Sequence, residues 1–568
     1  MGKRHKRFPM FARRPVFATN KTSERSHLHM TSLRTMLLCA CLAAVSAGAA
    51  HAQIVVDKVQ PGRLDEPKAG KEPTIVPEAP STAPKTSVAS TQAMSGQITG
   101  VRLERSSLPH DLAEAAMRPF IGKPITPGTL QQLADAYSQA YARSDIALYS
   151  ILIPEQTFAD GQVRVTVIEN YIDEVILGGA NPETASLTSS YAAAMAEQRP
   201  LTRQTLQRYL LLMNDVPGAT TTPNVIAGDR PDTVKLVLDT KRDPVETVVT
   251  LDTRGAAQLG RTQVQGDVYF NGLGYEGNQT RLTAAASADF DRFVSASLSH
   301  ATTFGPSGLM ASASIGYFRT RPDNSPLEGQ GYTASLQGSY PLIRGANTNV
   351  TLAGGLDGFN SDNALVGQTL SSDRTRTLRG ALSVENTRGQ TAWGASASIS
   401  QGLSALGARV SNPALASSRF TKANLQVAAT RVLDPNWRIQ GAVSTQLTTD
   451  RLPTSELMTI GGARFGRAFE SGFASADSGL AGSIEIARKF GNPKEGGASE
   501  AYAFVDGGKL WFSDRPGYVL RDTELSSAGG GVRLTVAKNT AIGLEAAKQL
   551  RGRQDDGWRM SVSLGSNF

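Results

Sequence analysis

The residues with the clearest chemical character lie in one glycine-rich stretch, residues 461–470, towards the C-terminal end of the chain. Two arginines and two phenylalanines stand there between glycines: Arg464, Phe465, Arg467 and Phe469. Fixed cations and aromatic rings in a loop need a counter-charge and an apolar wall. A candidate counter-charge is Asp506, in the sequence Phe504-Val505-Asp506-Gly507-Gly508. We therefore predict electrostatic chemistry, in which this loop folds back and meets the strand that carries Asp506.

Residue types for covalent catalysis or metal binding are scarce. Both cysteines, Cys39 and Cys41, lie in an apolar run near the N-terminus, so we expect no thiolate or cysteine-ligated zinc site in the rest of the chain. His110 and His300 are the two histidines beyond residue 52, and neither has a partner pattern. We find no Ser/His/Asp arrangement, carboxylate pair or phosphate-binding loop. The sequence predicts no catalytic residue, no metal and no cofactor.

Residues 1–52 are typical of a secretory signal peptide. A basic region extends through Arg34, an apolar run follows over residues 36–45, and Ala50-His51-Ala52 forms a small-residue cleavage site. Translation starts at either Met1 or Met30. The alternative, a short buried helix, does not explain the order of these parts.

The positive charge of the chain comes from this leader. The formal net charge is +8. Residues 1–52 hold nine of the 58 Lys and Arg residues and one of the 50 Asp and Glu residues, which leaves 49 of each beyond the leader. Because the remainder is neutral, it lacks the electrostatic basis for nucleic-acid binding, and we predict no nucleic-acid partner.

The following segments change from a linker to globular composition. Residues 53–95 are rich in Pro, Ser, Thr, Ala and Lys, and we predict an extended, solvated linker. Residues 96–170 and 171–242 are each typical of a β-α-α-β-β unit, and Thr126-Pro127 marks the start of one helix. Both units fall in the size range of small domains. One irregular α+β domain is the alternative.

Residues 245–568 show the alternation of transmembrane β-strands. Segments of roughly ten residues place apolar side chains on one face and small or polar ones on the other. The last segment is the clearest, with Trp558, Met560, Val562 and Leu564 on one face. We predict about sixteen antiparallel strands in a closed transmembrane β-barrel, since an even number closes such a barrel. A soluble β-sandwich or propeller would need larger apolar faces than these Ala- and Ser-rich strands provide.

The connections between these strands alternate in length. We predict long connections at residues 321–330, 360–372, 403–418 and 450–479, with short turns between them, as at residues 342–347. Short turns on one side of the membrane and long loops on the other are typical of outer-membrane barrels. The loop over residues 450–479 contains the Arg- and Phe-rich stretch, which we place in the barrel lumen. No apolar run beyond the leader approaches the ~20 residues of a spanning helix.

With this order of segments the chain resembles the outer-membrane transporters of two-partner secretion, typified by the hemolysin activator and filamentous hemagglutinin exporter proteins. The resemblance covers about residues 95–568. It implies α+β periplasmic domains, POTRA 1 at residues 96–170 and POTRA 2 at residues 171–242. An all-β, 16-stranded antiparallel transmembrane β-barrel at residues 245–568 would follow, placed in the bacterial outer membrane. Residues 450–479 then correspond to the family's long sixth loop.

The family's motifs imply roles for single residues. Its loop motif, Val-Arg-Gly-Phe/Tyr, maps onto Gly466, Arg467, Ala468 and Phe469. Its strand motif, Phe-x-Asp, maps onto Phe504 and Asp506. The resemblance implies that Arg467 and Asp506 form the pair that joins the loop to the barrel. One position departs from the motif, because Ala468 stands where the family has glycine, and alanine avoids positive φ.

The resemblance also implies a function. We expect the protein to secrete a large partner exoprotein of hemolysin or adhesin type, which the POTRA domains bind in the periplasm by strand addition at a sheet edge. Further expected partners are outer-membrane lipid and the barrel-assembly machinery, which would bind the C-terminal strand through an insertion signal at Phe568. The alternatives are a barrel-assembly insertase and a passive porin. Residues 53–95 lack the composition of a plug helix, so none is predicted there.

Overall fold

The computed structural model describes residues 85–89, 96–158, 160–178, 186–491, 499–537, 539–552 and 557–568. The predicted signal peptide lies outside these residues. Most of the predicted linker also lies outside them, so the prediction of no plug helix stays a prediction. Within the described ranges, no helix is both long enough and apolar enough to cross a membrane.

The first N-terminal unit is a mixed sheet that packs with two helices. Its elements are β1 (Lys85–Val88), β2 (Gly100–Glu104), α1 (His110–Met117), α2 (Pro127–Arg143), β3 (Tyr149–Ile153) and β4 (Gln162–Glu169), with a 3-10 turn at Arg118–Phe120. The strand order is β1-β3-β4-β2. The central pair is antiparallel and both outer pairs are parallel.

Helix α2 forms the core of this unit. The Thr126 hydroxyl accepts a hydrogen bond from the Thr129 amide at 3.1 Å, and Pro127 fits the first turn because its missing N–H has no partner there. Side chains at helical spacing, including Leu133 and Tyr137, are buried against the alternating valines of β4. The cap and the apolar stripe together explain where the helix starts and which face it buries.

Strand β1 lies within the segment predicted to be a linker. It pairs in parallel with β3, from Lys85 opposite Ser150 to Val88 opposite Ile153. The predicted linker over residues 53–95 is therefore wrong for these four residues. Only one of its four residues is apolar, so the sequence does not predict this strand. Its strand conformation comes from pairing with the edge of the sheet.

The second unit repeats the plan with three strands. Its elements are β5 (Tyr171–Gly178), α3 (Ser186–Ala196), α4 (Arg203–Asn214), β6 (Ala219–Ala227) and β7 (Thr233–Arg242). The strand order is β5-β7-β6, with β5 parallel and β6 antiparallel to β7. Leu187, Tyr191, Met213, Leu236 and Leu238 belong to its core, which is separate from the core of the first unit.

The remainder of the chain is a closed barrel of sixteen antiparallel strands, as predicted. The final strand pairs with the first, with Ser563 opposite Asp252. The barrel strands are β8 (Val245–Asp252), β9 (Gln263–Asn271), β10 (Asn278–Ser287), β11 (Phe293–Phe304), β12 (Leu309–Thr320), β13 (Leu327–Arg344), β14 (Thr348–Leu365), β15 (Gln368–Arg388), β16 (Thr391–Gly402), β17 (Thr421–Val432), β18 (Trp437–Leu447), β21 (Ser478–Phe490), β22 (Ser499–Trp511), β23 (Thr523–Ala537), β24 (Thr540–Arg551) and β25 (Trp558–Asn567). Two short strands between β18 and β21, β19 (Met458–Ile460) and β20 (Ala474–Ala476), pair with each other outside the barrel wall.

The two faces of the barrel wall differ in the way that lipid requires. Outward-facing aliphatic side chains stay exposed, such as Ile315, Leu336 and Ile399. Inward-facing positions on neighbouring residues are polar and buried, such as Thr375 and Ser400. Because side chains alternate along a strand, each strand presents one face to lipid and one to the lumen.

One predicted loop is wrong. Residues 360–372 were expected to form a long connection, but β14 runs to Leu365 and β15 starts at Gln368. The turn between them is Val366-Gly367, where both residues have positive φ. The polar composition misled the prediction, since a hairpin that rises beyond the membrane has no lipid-facing side and loses the apolar alternation.

The second unit binds one end of the barrel, which we call the proximal end; the opposite end is the distal end. Glu276, in the turn between β9 and β10, has a fully buried side chain. Its carboxylate accepts hydrogen bonds from the amides of Leu187 and Thr188, both at 2.9 Å, and pairs with the Arg242 guanidinium. These amides belong to the first turn of α3, where the helix dipole favours a negative charge. A barrel turn therefore caps a helix of the second unit.

Two more proximal turns hold helix α4. The Arg208 guanidinium donates to the carbonyl oxygens of Pro341 at 3.1 Å and Ser307 at 3.0 Å. The Arg344 guanidinium meets both carboxylate oxygens of Asp215, each at 2.7 Å. These contacts fix the second unit against the proximal rim.

Candidate functional site

The connection between β18 and β21, residues 448–477, enters the barrel, and we call it the lumen loop. It contains a 3-10 turn, Thr454–Glu456, and the small hairpin of β19 and β20. Its apolar side chains pack on the inner wall formed by β21 to β24. The loop members of this cluster are Met458, Ile460, Phe465, Ala468, Phe469 and Ala476, and the wall members include Tyr502, Phe504, Leu510 and Leu525.

The tip of the lumen loop is a tight turn over residues 466–469. The Phe469 amide donates to the Gly466 carbonyl at 2.8 Å, which places Arg467 and Ala468 at the centre of the turn. The positive φ falls on Gly466, at +77°, and not on Ala468. A Cβ added to Gly466 would lie 2.7 Å from Cδ1 of Leu525. The alanine that departs from the family motif therefore fits this turn without strain.

The Asp506 carboxylate holds the turn mainly by accepting hydrogen bonds from backbone amides of the turn. One carboxylate oxygen accepts from the Gly466 amide at 3.0 Å, and the other accepts from the Arg467 amide at 3.3 Å. The Ser527 hydroxyl donates to the same carboxylate. Nε of Arg467 lies 3.5 Å from the Asp506 carboxylate, a longer approach than either amide makes. The two residues paired by the resemblance are brought together, and the backbone carries most of the contact.

The Arg467 guanidinium has two further acidic partners. Its Nη1 lies 2.8 Å from a carboxylate oxygen of Glu485 on β21 and 3.4 Å from one of Glu545 on β24. The guanidinium also stacks over the Phe504 ring, 4.1 Å from its centroid. The Phe-x-Asp motif of β22 thus provides both an aromatic surface and a carboxylate for the same arginine.

Other cations balance these carboxylates. Arg533 donates to both oxygens of Glu485, at 2.7 and 3.0 Å. Glu545 accepts from the Tyr502 hydroxyl at 2.8 Å and lies 3.4 Å from the Arg254 guanidinium. Because Glu485 and Glu545 are almost fully buried, their charges depend on these partners.

The other end of the lumen loop has a second anchor. The carboxylate of Glu456, buried in the 3-10 turn, accepts from Nη2 of Arg379 at 2.8 and 3.0 Å and lies 3.0 Å from Nζ of Lys422. The Thr377 hydroxyl donates to it at 3.1 Å. Arg379 lies on β15, six strands from the β23 that carries Ser527. The loop is therefore attached to two widely separated parts of the wall.

Sequence reasoning missed the carboxylates that complete this site. Glu456, Glu485 and Glu545 were not among the predicted residues. A signal for one of them is present, because Glu485 stands between Ile484 and Ile486 and alternation turns it into the lumen. The signal does not reveal which cation it meets, since that depends on the register between strands.

The described side chains of the site form ion pairs and hydrogen bonds. Within the described ranges, no cluster of three or more His, Cys, Asp or Glu side chains is arranged to hold a metal ion. Nδ1 of His300 lies 2.9 Å from the Thr280 hydroxyl on a neighbouring strand, and His110 is the first residue of α1. The arrangement can hold a loop inside the barrel and release it when charges separate.

Comparison with known proteins gives the family. The profile described as "Haemolysin secretion/activation protein ShlB/FhaC/HecB" matches residues 233–534, more than half of the chain. The chain belongs to this family. A second profile, the ShlB-type POTRA domain, matches residues 97–170, so the first N-terminal unit is a POTRA domain.

Individual relatives agree with the family. The chain is 21% identical over 479 residues to the heme/hemopexin transporter protein HuxB of Haemophilus influenzae, covering 78% of this chain and 80% of that protein. It is 23% identical over 425 residues to the outer membrane transporter CdiB of Dickeya dadantii, covering 72% and 74%. The solved structure of CdiB from Escherichia coli superposes with a TM-score of 0.68 at 19% identity, covering 86% of this chain and 94% of that one, which shows a shared fold.

Family membership fixes the orientation of the molecule. The protein is an outer-membrane transporter of two-partner secretion, and its POTRA region lies in the periplasm. The predicted family, barrel and location are thereby confirmed. The proximal end of the barrel faces the periplasm and the distal end faces the outside.

Proposed function

We propose that this protein secretes one large partner exoprotein, of hemolysin or adhesin type, through its barrel. The observation that carries the proposal is the lumen loop, which is pinned inside a closed barrel by reversible charge contacts. The family supports the same function, and the relatives HuxB and CdiB are named as transporters. A pore with a removable obstruction suits the passage of an unfolded chain better than the free diffusion of small solutes.

The two N-terminal units would receive the partner in the periplasm. Each sheet has edge strands with unpaired backbone groups, β1 and β2 in the first unit and β5 and β6 in the second. An extended segment of the partner can add to such an edge, where backbone hydrogen bonds give affinity and side-chain pockets give specificity. Residues 171–242 would act as the second POTRA domain, next to the barrel entrance.

Arg467 and Asp506 would anchor the tip of the lumen loop inside the barrel, and we call this pair the catch. In this proposal Gly466, Ala468 and Phe469 shape the turn, Phe504 supports the guanidinium, and Asp506 holds the backbone. Breaking a buried ion pair by removing one partner costs roughly 3 to 5 kcal/mol, whereas an exposed pair is worth only about 0 to 1 kcal/mol. A buried catch is therefore strong enough to keep the loop inside until a substrate displaces it.

The proposal also includes membrane lipid and the barrel-assembly machinery as partners. Outer-membrane lipid would cover the exposed aliphatic band, and the barrel-assembly machinery would bind the last strand. Phe568 suits that role because its side chain is 76% exposed while its amide and carbonyl pair with Thr247. We propose transport without a catalytic step, cofactor, metal or nucleic acid, in which folding of the partner outside the cell biases its movement.

A comparison of secreted and outer-membrane proteins with and without the gene tests this function. Loss of one large protein from the culture supernatant, with other outer-membrane proteins unchanged, is the expected result. General depletion of outer-membrane barrels would instead identify an insertase, and no change in either fraction would identify a passive porin.

Variants of the catch test its role. We expect Arg467→Ala and Asp506→Ala to lower secretion at least several-fold more than they lower barrel abundance, because each leaves buried charges without partners and misplaces the loop that the exported chain has to displace. The matched control is Arg464→Ala, since Arg464 lies in the same loop and donates to the neutral Gln426 side chain at 3.3 Å. Secretion per barrel that is equal in all three variants and the parent would rule out the catch, while leaving the export function standing.

A further inference from the structure

The outer surface of the barrel carries a cluster of arginines near its distal end. Arg374 and Arg376 lie on β15, where alternation turns them to the same side as Leu378, whose side chain is 53% exposed. The intervening residues face the lumen, since Thr377 contacts Glu456 of the lumen loop. The connection after β16 brings a third cation, Arg409, to the same surface.

The structure holds these guanidinium groups in place. Arg409 and Arg374 exchange backbone hydrogen bonds at 2.8 and 2.9 Å, and the Arg409 side chain donates to the Ser372 hydroxyl at 2.7 Å. Arg376 packs over Gly358 and donates to the Asn360 amide oxygen at 2.9 Å. The fixed cations are therefore features of the fold and not mobile surface side chains.

The charge of the cluster is only partly neutralised. Asp362 accepts from Arg374 at 2.9 and 3.0 Å. Arg376 and Arg409 donate to neutral oxygens, including the Leu406 carbonyl at 3.1 Å from Nε of Arg376. The Asp362 carboxylate also interacts electrostatically with Arg409, and the Asp373 carboxylate accepts from the amide of Ser411, two residues from Arg409, at 2.6 Å. Three arginines therefore meet two carboxylates, and one net positive charge remains beside an apolar side chain, the 65% exposed Leu406.

The height of the cluster places it at the membrane boundary. At the proximal end, Asn386 of β15 lies opposite the outward-facing Trp393, which suits the periplasmic aromatic girdle. Ten positions separate Asn386 from Arg376 along β15. At about 3.3 Å per residue and a tilt of about 40°, this is a height of about 25 Å, the height of the lipid-facing band of such barrels. Arg376 therefore lies where acyl chains give way to headgroups of the outer leaflet.

We propose that Arg374, Arg376, Arg409, Asn360 and Leu406 form a binding site for the phosphorylated glycolipid of the outer leaflet, lipopolysaccharide. Its phosphate groups would meet Arg376 and Arg409, since guanidinium groups bind phosphate with paired, charge-assisted hydrogen bonds. Leu406 and Leu378 would contact its acyl chains. The site lies on the outside of β14 and β15, directly behind the wall residues Thr377 and Arg379 that bind Glu456.

Binding of lipid A to the purified full-length protein in detergent tests this site. We expect the bisphosphorylated form to bind, and the double variant Arg376→Ala/Arg409→Ala to weaken binding about tenfold, because two charge-assisted contacts are lost. The matched control is Arg431→Ala, an exposed arginine that faces outward at the periplasmic end of β17 and is expected to leave binding unchanged. Dephosphorylated lipid A is expected to bind parent and double variant equally weakly.

Three results would overturn the proposal. The first is equal affinity of the parent and the double variant for bisphosphorylated lipid A. The second is a loss of affinity in the Arg431→Ala control as large as in the double variant. The third is displacement of the lipid by inorganic phosphate, which would identify a site for the free anion. Folding is checked by the heat-dependent electrophoretic mobility of the barrel. If the double variant fails this check, Arg409→Ala alone decides, because Arg409 is exposed on a connection outside the strands.

Discussion

At the scale of single residues, the lumen loop depends on one position where the backbone is left-handed and crowded. Gly466 combines a φ of +77° with an inner-wall neighbour that leaves no space for a Cβ. The next residues, Arg467 and Ala468, have no positive φ, so the backbone of the turn does not require glycine at either position. The geometry of the catch therefore rests on this glycine as much as on the charged pair.

A pair of substitutions separates these contributions. Gly466→Ala is expected to destabilise the seated loop by about 1 to 2 kcal/mol from the left-handed backbone alone, with a further cost from the clash with Leu525. Ala468→Gly, which restores the family motif, is expected to have little effect. Protease cleavage within the loop, measured on folded protein, reports its release. Equal cleavage in both variants would show that the glycine does not hold the turn.

Sequence reasoning reached half of this site. Arg467, Phe469, Phe504 and Asp506 were predicted because family motifs mark them, and the structure brings them together around one turn. Glu456 and Glu545 were missed, since their partners lie on strands far away in sequence. Cross-strand register decides such pairs, and the alternation of a single strand does not contain it.

At the scale of elements, the cap between a barrel turn and a helix couples the second unit to the pore. Glu276 satisfies two amides of α3 and the Arg242 guanidinium at once, in a fully buried position. The Asp215–Arg344 pair adds a second, more exposed point of attachment. The buried contact is expected to dominate, because exposed ion pairs contribute little.

Removing this cap gives a prediction for the element. Glu276→Ala leaves Arg242 and the helix amides without their carboxylate, so we expect roughly 3 kcal/mol of lost coupling. Faster amide hydrogen exchange at residues 186–196 in the full-length protein would report it. The matched control is Glu246→Ala, an exposed acid near the same end of the barrel, where exchange is expected to stay unchanged. Unaltered exchange in Glu276→Ala would show that α3 is held by its own core.

The elements were predicted unevenly. Helix α2 was visible because Thr126-Pro127 and an apolar stripe mark it, and the last strand because aromatic and aliphatic residues alternate in it. Strand β1 and the distal part of β14 were not predicted, since their polar residues are typical of linkers and loops. Outside a core or a membrane, pairing partners and not composition make a strand.

At the scale of the whole molecule, the lumen loop is anchored to the barrel wall at two separate places. It is attached at Glu456 to β15 and β17 and at its tip to β21, β22 and β24. Neither end can leave without separating buried charges. Export would then require release of both anchors.

Ion conductance in planar bilayers tests whether the two anchors keep the lumen loop in place. We expect Glu456→Ala and Arg467→Ala each to raise the open fraction by roughly tenfold, since each removes a buried charge contact from the closed state. The double variant is expected to open more than either. Thr459→Ala, an exposed position on β19 in the same loop, serves as the control. Conductance unchanged by Glu456→Ala would leave the tip as the sole catch.

The architecture at this scale was the easiest to predict. Sixteen alternating segments and two α+β units follow from periodicity, and the family profile agrees with them. The attachment of the loop to both sides of the lumen was not predictable, because it depends on which inward-facing charges share a height in the closed barrel.

The tip of the long hairpin of β14 and β15 offers a site for chemical labelling. Its tip, Val366-Gly367, stands beyond the lipid on the outside of the cell, and the chain has no cysteine after Cys41. A cysteine introduced at Val366, whose side chain is 79% exposed, would be the only thiol beyond the leader. A membrane-impermeant dye would then mark this transporter on living cells, and count and track it there, without a tag on either terminus.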